Sequence, residues 1–410
     1  MRDGGAPDNT VSLAFCSSLA IQCFINEYVF DLEPGELERA EILRASLSAD
    51  LEAGRSVPAV VVAVVAAYFP LHMIEAAQHL LDRSWPAAVS ELIDRQVREP
   101  MQERELALTI PRITGIDDAV SLAVRGQYEQ NPYPRWVKVP SLHKPLVVET
   151  WLRQFTTAST DGFAGKQNID ILVAGCGTGR HSTMAAARFL GSNVLAVDLS
   201  LASLAFAKRK ALELAIRNIE YAQADILQLA TTGRSFDIVE SSGVLHHLAD
   251  PSAGLGILSS LLRPGGLMFI GLYSELGRRD VVAARAFIAE RRYGSTAHEI
   301  RQCRQELMAC DDPVVLTLRH FTDFFSLSEC RDLLFHVQEH RFTLPQIKTL
   351  LAANGLRIIG FEHDAATREK YRARFPADEA TIDLDLWHAF EQDNPDTFRG
   401  MYQFWVQKEP

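Results

Sequence analysis

A glycine-rich turn carries the clearest chemical signal in the sequence. Residues 169–179 read IDILVAGCGTG, an apolar run that leads into Gly175, Gly177 and Gly179. Glycines let the backbone bend sharply and approach a ligand closely, while the free N–H groups of a following helix face that ligand. A dinucleotide fingerprint would place a further small residue at the next position for packing under a pyrophosphate, but this chain has Arg180. The spacing therefore favours a smaller nucleoside ligand.

Two carboxylates end the next two predicted strands. Asp198 closes the run LAVD, where an acidic side chain can accept two hydrogen bonds from a ribose diol. Asp225 closes the run AQAD and is placed to accept from the exocyclic amine of adenine. Two acids without a cluster of cations suit a nucleoside with a cationic head and would repel a polyphosphate. Helix capping stays open for both aspartates, and Ser200 competes with Asp198 for that role.

Two adjacent histidines follow the fourth predicted strand, at the edge where open α/β sheets place their ligands. Either His246 or His247 can act as a general base or orient a substrate, with His246 the first choice, and a purely structural hydrogen-bonding role stays open. Three more side chains are expected to line a substrate pocket: Tyr273, Arg319 and His320.

The segment QYEQNPYPRW precedes the predicted sheet. Its two X-Pro steps favour extended backbone, and its aromatic residues Tyr128, Tyr133 and Trp136 are expected to form an arm over the cofactor. Tyr133 is a catalytic candidate, Tyr128 and Trp136 are substrate-binding candidates, and Arg135 is available for a substrate or cofactor carboxylate. Packing between domains is the alternative for Tyr133 and Trp136.

The motif HVQEH, residues 336–340, fits the H-x-x-E-H pattern of inverted zinc peptidases if both imidazoles share a helical face. No clear third ligand follows, so no metal is predicted. A solvated helix end or a substrate-facing pair are the other interpretations.

The elements that must position these residues alternate between short β runs and amphipathic helices, which predicts a doubly wound, mostly parallel α/β sheet. The predicted strands are residues 169–174, 193–197, 219–222, 236–240, 267–272, 356–361 and 401–406. The predicted helices between them include residues 180–190, 201–214 and 253–262.

Helical periodicity dominates the chain before the sheet. We predict an N-terminal all-α domain over residues 1–110, a linker with lid helices over 111–165, and a third domain over 166–410. A helical insertion at about 274–354 is expected to be a lid or cap. Further helices are predicted over 119–130 and 140–155. The apolar run 57–69 is shorter than the roughly 20 residues of a membrane span and predicts a buried helix.

Net charge and cysteine spacing indicate which classes of binding partner and which cellular compartment fit the protein. The 410 residues carry 41 Lys and Arg against 52 Asp and Glu, a net charge of -11, which disfavours nucleic acid or an anionic membrane as the main partner. The six cysteines are widely spaced, which indicates reduced thiols in the cytoplasm. No secretory signal is visible at the start of the sequence.

Five motifs together resemble the class I S-adenosylmethionine-dependent methyltransferases in order and spacing. They are VAGCGTG, VDLS, QADIL, FDIVESSGVLHHLADP and LLRPGGLMFIGLY, within residues 167–273. The resemblance implies a seven-stranded Rossmann-like fold and S-adenosylmethionine as cofactor, with S-adenosylhomocysteine as product. It also implies a cofactor-binding set. In that set Gly175, Gly177 and Gly179 line the methionine, Asp198 holds the ribose hydroxyls, Asp225 and Ile226 frame the adenine, and Glu240, Ser241 and Ser242 border the sulfonium. Cys176 and Leu199 are further cofactor-binding residues of the set.

Segments outside that core resemble a bacterial subset of the family with an N-terminal tetratricopeptide-like region. They are QCFINEYVF, QYEQNPYPRW and FTDFFSLSECRDLLFHVQEHRFTLPQI. The predicted activity is methyl transfer to a nitrogen or oxygen of a protein, a peptide or a small metabolite. Two alternatives stay open: a non-catalytic cofactor-binding scaffold that acts through its helical domain, and an NAD-dependent oxidoreductase.

Overall fold

The computed structural model describes residues 10–409 except 34, 131 and 140–143. The chain divides into two compact units. The helical unit comprises Met1–Leu108 and Ala284–Phe335, and the sheet unit comprises Thr109–Ala283 and His336–Pro410. This grouping differs from the predicted division at the insertion, because most of its helices cluster with the N-terminal helices.

The sheet unit contains, among its described residues, one seven-stranded sheet in the order β3-β2-β1-β4-β5-β7-β6. The strands are β1 (Ile169–Ala174), β2 (Ser192–Asp198), β3 (Ile219–Gln223), β4 (Phe236–Ser242), β5 (Leu262–Leu272), β6 (Leu356–Phe361) and β7 (Tyr402–Lys408). β7 runs antiparallel to both neighbours, and the other pairings are parallel. The predicted doubly wound, mostly parallel sheet is confirmed.

Helices account for most of the remaining described chain. In chain order they are α1 (Thr10–Ile25), α2 (Glu36–Glu52), α3 (Ala59–Tyr68), α4 (Ala87–Ile93), α5 (Glu99–Ala107), α6 (Ala119–Gln130), α7 (Val148–Leu152), α8 (Arg180–Arg188), α9 (Leu201–Glu213), α10 (Pro251–Leu261), α11 (Arg279–Arg291), α12 (Ala297–Ala309), α13 (Pro313–Leu316), α14 (Leu327–Phe335), α15 (Leu344–Ala353), α16 (Ala365–Arg374) and α17 (Leu384–Asp393).

Each unit has its own apolar core. In the helical unit, α3 buries Val62, Ala63, Val65 and Ala66, so the apolar run is the buried helix that was predicted. No helix of the described residues is both long enough and apolar enough to span a membrane. In the sheet unit, β1 is buried along nearly its whole length, as expected for a parallel strand with helices on both faces.

Hydrogen bonds within the helical unit tie the insertion to the turn after α1. The Arg301 guanidinium donates to the Tyr28 carbonyl at 2.6 Å. Asn26 donates through its side-chain amide to the Phe325 carbonyl. An amphipathic helix does not encode in its own sequence which core it will join, so the sequence did not reveal this grouping.

Two predicted helices are wrong over part of their length. Between residues 140 and 155 only Val148–Leu152 is helical, and residues 140–143 lie outside the described part. Pro145 disfavours helical backbone at the residue before it, and Leu146 instead forms a β-bridge with Phe189. The helical placement of the HVQEH motif is also wrong, because α14 ends at Phe335 and the motif follows as irregular chain.

Candidate active site

The glycine turn joins β1 to α8 in a conformation that requires glycine. Gly175, Gly177 and Gly179 have φ angles of +77°, +52° and +83°, which side chains disfavour. A Cβ on Gly175 would lie 2.4 Å from Val244 Cγ2, and one on Gly179 would lie 2.5 Å from Ala207 Cβ. At its three glycine positions the turn therefore presents only backbone atoms at the carboxyl edge of β1.

Cys176, within the same turn, is buried, and burial raises the pKa of its thiol well above the ordinary value. The side chain therefore packs as a small apolar group and is not a reactive thiolate.

Asp198 ends β2 and faces the turn. Its Oδ2 accepts from the Gly177 N–H at 2.8 Å, and its Oδ1 accepts from the Ser200 N–H at 2.9 Å. Burial raises the pKa of Asp198, and the two backbone donors oppose that rise. Each carboxylate oxygen has a second lone pair, so the group can accept further hydrogen bonds from a diol. The neighbouring Leu199 is half-buried, and its carbonyl accepts from the Gln223 side chain at 2.8 Å.

Asp225 follows β3 and is 1% exposed. Its Oδ1 accepts from the Leu227 N–H at 2.9 Å, so it caps the short helical turn that starts at the buried Ile226. Its Oδ2 is buried and has no hydrogen-bond partner among the described residues. An unpaired buried acceptor costs about 1–3 kcal/mol. An amine donor such as that of adenine would remove this cost, so the residues present fit the expected nucleoside.

Glu240 lies within β4 and is fully buried. Its Oε1 lies 2.6 Å from an Arg188 guanidinium nitrogen, and its Oε2 pairs with His181. Burial opposes ionisation, but the charges of Arg188 and His181 lower the pKa of Glu240. Both oxygens are thus engaged by α8, and the contact ties β4 to that helix. The sequence motif marked Glu240 and gave no sign of these two partners.

Two serines end β4. The Ser241 hydroxyl is buried and has no hydrogen-bond partner among the described residues, whereas Ser242 donates to the Met401 sulfur at 3.5 Å. Because these serines end β4 and β4 pairs in parallel with β1, both lie at the carboxyl edge of the sheet, next to the end of β1.

The predicted arm packs along the glycine turn and the start of α9. Trp136 donates through Nε1 to the Thr178 carbonyl at 2.9 Å. The Ser200 hydroxyl donates to the Tyr128 carbonyl at 3.1 Å and to the Glu129 carboxylate at 2.8 Å. Arm and turn are thus joined within the sheet unit by direct hydrogen bonds.

The other arm residues lie close to these contacts. The Tyr133 carbonyl lies 3.0 Å from where a Cβ on Gly177 would be. The Arg135 guanidinium lies 6.0 Å from the centroid of the Phe206 ring. The tyrosines Tyr128 and Tyr133 stack with ring centroids 6.3 Å apart.

The two histidines come together with Tyr273 at the carboxyl edge of β4 and β5. His246 is fully buried and stacks on Tyr273, with ring centroids 3.9 Å apart. The His247 ring centroid lies 4.3 Å from that of His246 and 3.6 Å from that of His336. His336 in turn lies 5.9 Å from Tyr128 of the arm. The predicted catalytic pair and the arm thus border one region of the sheet unit.

Two predicted substrate residues belong to the helical unit. Arg319 and His320 lie there in a short helical turn and are exposed, and the Arg319 guanidinium donates to the Met308 carbonyl. They are not among the side chains that the sheet brings together.

A Rossmann-like sheet with a glycine turn and two strand-end acids defines a nucleoside-binding α/β protein. Residues 171–266 match the family model described as a methyltransferase domain. A ubiquinone biosynthesis O-methyltransferase of Idiomarina loihiensis is 33% identical over 190 residues, which cover 44% of this chain and 74% of that protein. The chain therefore belongs to the S-adenosylmethionine-dependent methyltransferases, and S-adenosylmethionine is its cofactor.

Two other proteins are similar over more of the chain. An uncharacterized protein of Synechococcus sp. is 28% identical over 259 residues, which cover 60% of each chain. PKMT2 from Rickettsia typhi, solved in complex with AdoHcy, has the same fold with a TM-score of 0.50 at 17% identity, over 67% of this chain and 55% of that one. The chain thus spans less than two thirds of the length of either protein.

Proposed function

We propose that this methyltransferase moves the methyl group to an oxygen atom of an acceptor that must lose a proton, at the carboxyl edge of β4 and β5. The observation that carries the proposal is the buried histidine pair His246 and His247 beside Tyr273. S-adenosylmethionine supplies a methyl group on a positively charged sulfur. The chain itself has to orient the acceptor, exclude water and take up the acceptor's proton.

The state of His246 supports this role. Burial, reinforced by Arg278 and the neighbouring imidazoles, holds the pKa of His246 well below its usual range. The ring is therefore uncharged near neutral pH and can orient the acceptor without placing a positive charge beside the sulfonium, while a pKa this low makes it a weaker proton acceptor than an ordinary imidazole. Neither ring nitrogen has a hydrogen-bond partner among the described residues.

Oxygen is the preferred acceptor atom because the Idiomarina relative is named an O-methyltransferase. A hydroxyl is also uncharged, so its entry into this buried region needs no counter-charge. A small metabolite with a hydroxyl group is accordingly the first acceptor class to test, and a protein or peptide is the second. Nitrogen is the other acceptor atom.

We assign the cofactor to the carboxyl edge of β1 to β4. The proposed contacts are the backbone of Gly175, Cys176, Gly177 and Gly179, the carboxylates of Asp198 and Asp225, and the nearby Leu199, Ile226, Ser241 and Ser242. The unpaired Oδ2 of Asp225 supports the adenine end of this assignment. The arm supports closure over the methionine end, because Trp136 is bonded to the turn.

The test is labelled methyl transfer by the full chain. Purified protein and methyl-tritiated S-adenosylmethionine are incubated with a bacterial lysate that has been separated into protein and small-molecule fractions. We expect label in a small-molecule fraction, in a product that resists the mild alkali that cleaves methyl esters. The matched control is Arg234→Gln, because Arg234 is an exposed side chain at the amino edge of β4, paired with Glu220 at 3.2 Å. Cofactor binding without transfer to any fraction would instead favour the non-catalytic scaffold.

A further inference from the structure

Helix α9 buries a lysine against the arm. The Lys210 side chain is 2% exposed. Its Nζ donates to the Val137 carbonyl at 3.0 Å and to the Glu213 carboxylate at 2.8 Å, and it lies 4.9 Å from the centroid of the Trp136 ring. Lysine is rarely buried this completely, because the ammonium group loses its hydration. Two of the three contacts that offset this loss are with the arm.

The same stretch of the arm contacts the glycine turn. Trp136 Nε1 donates to the Thr178 carbonyl at 2.9 Å, and the Thr178 hydroxyl donates to the Pro134 carbonyl. The Tyr133 carbonyl lies beside Gly177, 3.0 Å from where a Cβ on that glycine would be. Thr178 itself is fully buried. Within the sheet unit, the arm therefore connects α9 to the turn.

The charge of Lys210 does something that apolar packing could not do. Trp136 already packs edge-on against Phe206 of α9, with ring centroids 6.0 Å apart. An apolar residue at position 210 could complete this packing without the cost of desolvating a charge. It could not donate to the Val137 carbonyl, which lies one residue after the indole that contacts the turn. The ammonium group thus fixes the backbone of the arm.

We propose that Lys210 is a positioning residue for the cofactor: it holds the arm against the glycine turn and thereby slows release of the cofactor. The inference rests on the proposed function, because it takes the turn as the part of the site assigned to the methionine. Lys210 acts through Val137 and Trp136, so it is not a catalytic residue.

The surroundings of Lys210 allow a substitution that removes only the proposed contact. The Glu213 side chain is 46% exposed, so water can replace the ammonium group at its carboxylate. Glu213 also keeps its contact with Arg209 at 3.3 Å. Lys210→Met therefore leaves no buried charge without a partner, and a methionine side chain can still pack against Trp136. We expect this variant to fold, with the Val137 carbonyl deprived of its donor.

The first test measures release of the cofactor from the full chain. Protein loaded with methyl-tritiated S-adenosylmethionine is chased with excess unlabelled S-adenosylhomocysteine, and the bound label is followed by rapid filtration. We expect Lys210→Met to raise the release rate roughly tenfold, because it removes a charge-assisted hydrogen bond. The matched control is Lys208→Met on the same helix, where Nζ donates to the Thr109 hydroxyl at 2.8 Å. This control should release label like the original chain.

A second variant tests the other end of the same connection. Trp136→Phe keeps a ring beside Lys210 but removes the Nε1 donor to the Thr178 carbonyl. We expect faster release here too, and a double variant that gains less than the product of the two single effects, because both residues act through one segment. Multiplied effects would contradict a shared route. Unchanged release in both single variants, with only a lower unfolding temperature, would overturn the proposal and leave Lys210 a packing residue.

Hydrogen exchange shows whether the arm itself responds. In Lys210→Met, the amides of residues 132–139 should exchange faster than in Lys208→Met, and unchanged exchange there would also overturn the proposal. Failure of the cofactor assignment gives a different result. If Asp198→Ala binds S-adenosylhomocysteine as tightly as the original chain, the assignment fails and this proposal fails with it. If Asp198→Ala loses affinity but Lys210→Met releases label normally, only the role of Lys210 is refuted.

Discussion

Replacing Asp198 should weaken cofactor binding in graded steps. The carboxylate ends β2 beside the glycine turn, with one backbone donor on each oxygen and a lone pair left on each. A ribose diol would add two bonds to a charged acceptor, at about 1.5 kcal/mol each on the low side. At that lower value Asp198→Ala should cost about 3 kcal/mol, roughly 150-fold in Kd, and water in the space left would reduce the loss to no less than roughly tenfold.

The asparagine variant should lose less cofactor affinity than the alanine variant. Asp198→Asn keeps the shape and one acceptor oxygen, but its amide nitrogen would face the N–H of either Gly177 or Ser200. We expect a loss between that of the alanine variant and none, roughly tenfold in Kd. Both variants can still fold, since the turn conformation is set by its glycines.

Isothermal titration with S-adenosylhomocysteine measures these affinities. Arg234→Gln, at the opposite edge of the sheet, is the control and should bind like the original chain. If Asp198→Ala binds within experimental error of that control while its thermal unfolding is unchanged, the assignment of Asp198 to the ribose is refuted.

Three further predictions concern stability. Gly175→Ala should destabilise the sheet unit by about 1–3 kcal/mol in urea unfolding, because its Cβ would meet Val244 at positive φ; wild-type stability would contradict this. Arg188→Ala should cost about 3–5 kcal/mol, since it leaves Glu240 buried with half its partners, and Arg188→Lys should recover part. Burial and nearby acids raise the pKa of Glu329 to about 7, so its contribution to helical-unit stability should be full below pH 4.5 and lost as pH rises through 7; thermal unfolding of Glu329→Gln should lack that dependence.

The sheet could be predicted because buried parallel strands are continuous apolar runs. β1 and β6 have the predicted bounds, and the other strands differ by a few residues. The irregular conformation of residues 336–340 could not be predicted, because the i, i+4 histidines fit a helix but main-chain contacts to His246 and His247 compete with helix formation. Local spacing does not report such long-range bonds.

The candidate site could be predicted from the sequence where the type of residue itself indicates the chemistry. Glycines at positive φ and strand-end aspartates were found in that way. The contacts of Gln338 with His247 and His336 were not, because they are made by its carbonyl and its N–H, which any residue but proline carries. Glu240 was marked by a motif, but its partners Arg188 and His181 come from a helix whose facing side the sequence does not specify.

A crystal structure with S-adenosylhomocysteine tests the central claim most directly. The account predicts that the adenine amine donates to Asp225 Oδ2, which has no partner among the described residues, and that the ribose hydroxyls donate to Asp198. The sulfur would then lie at the carboxyl edge of β4, toward the side chains of His246 and His247. A nucleoside bound elsewhere, or an Asp225 Oδ2 that pairs with a protein donor in the complex, would contradict the account.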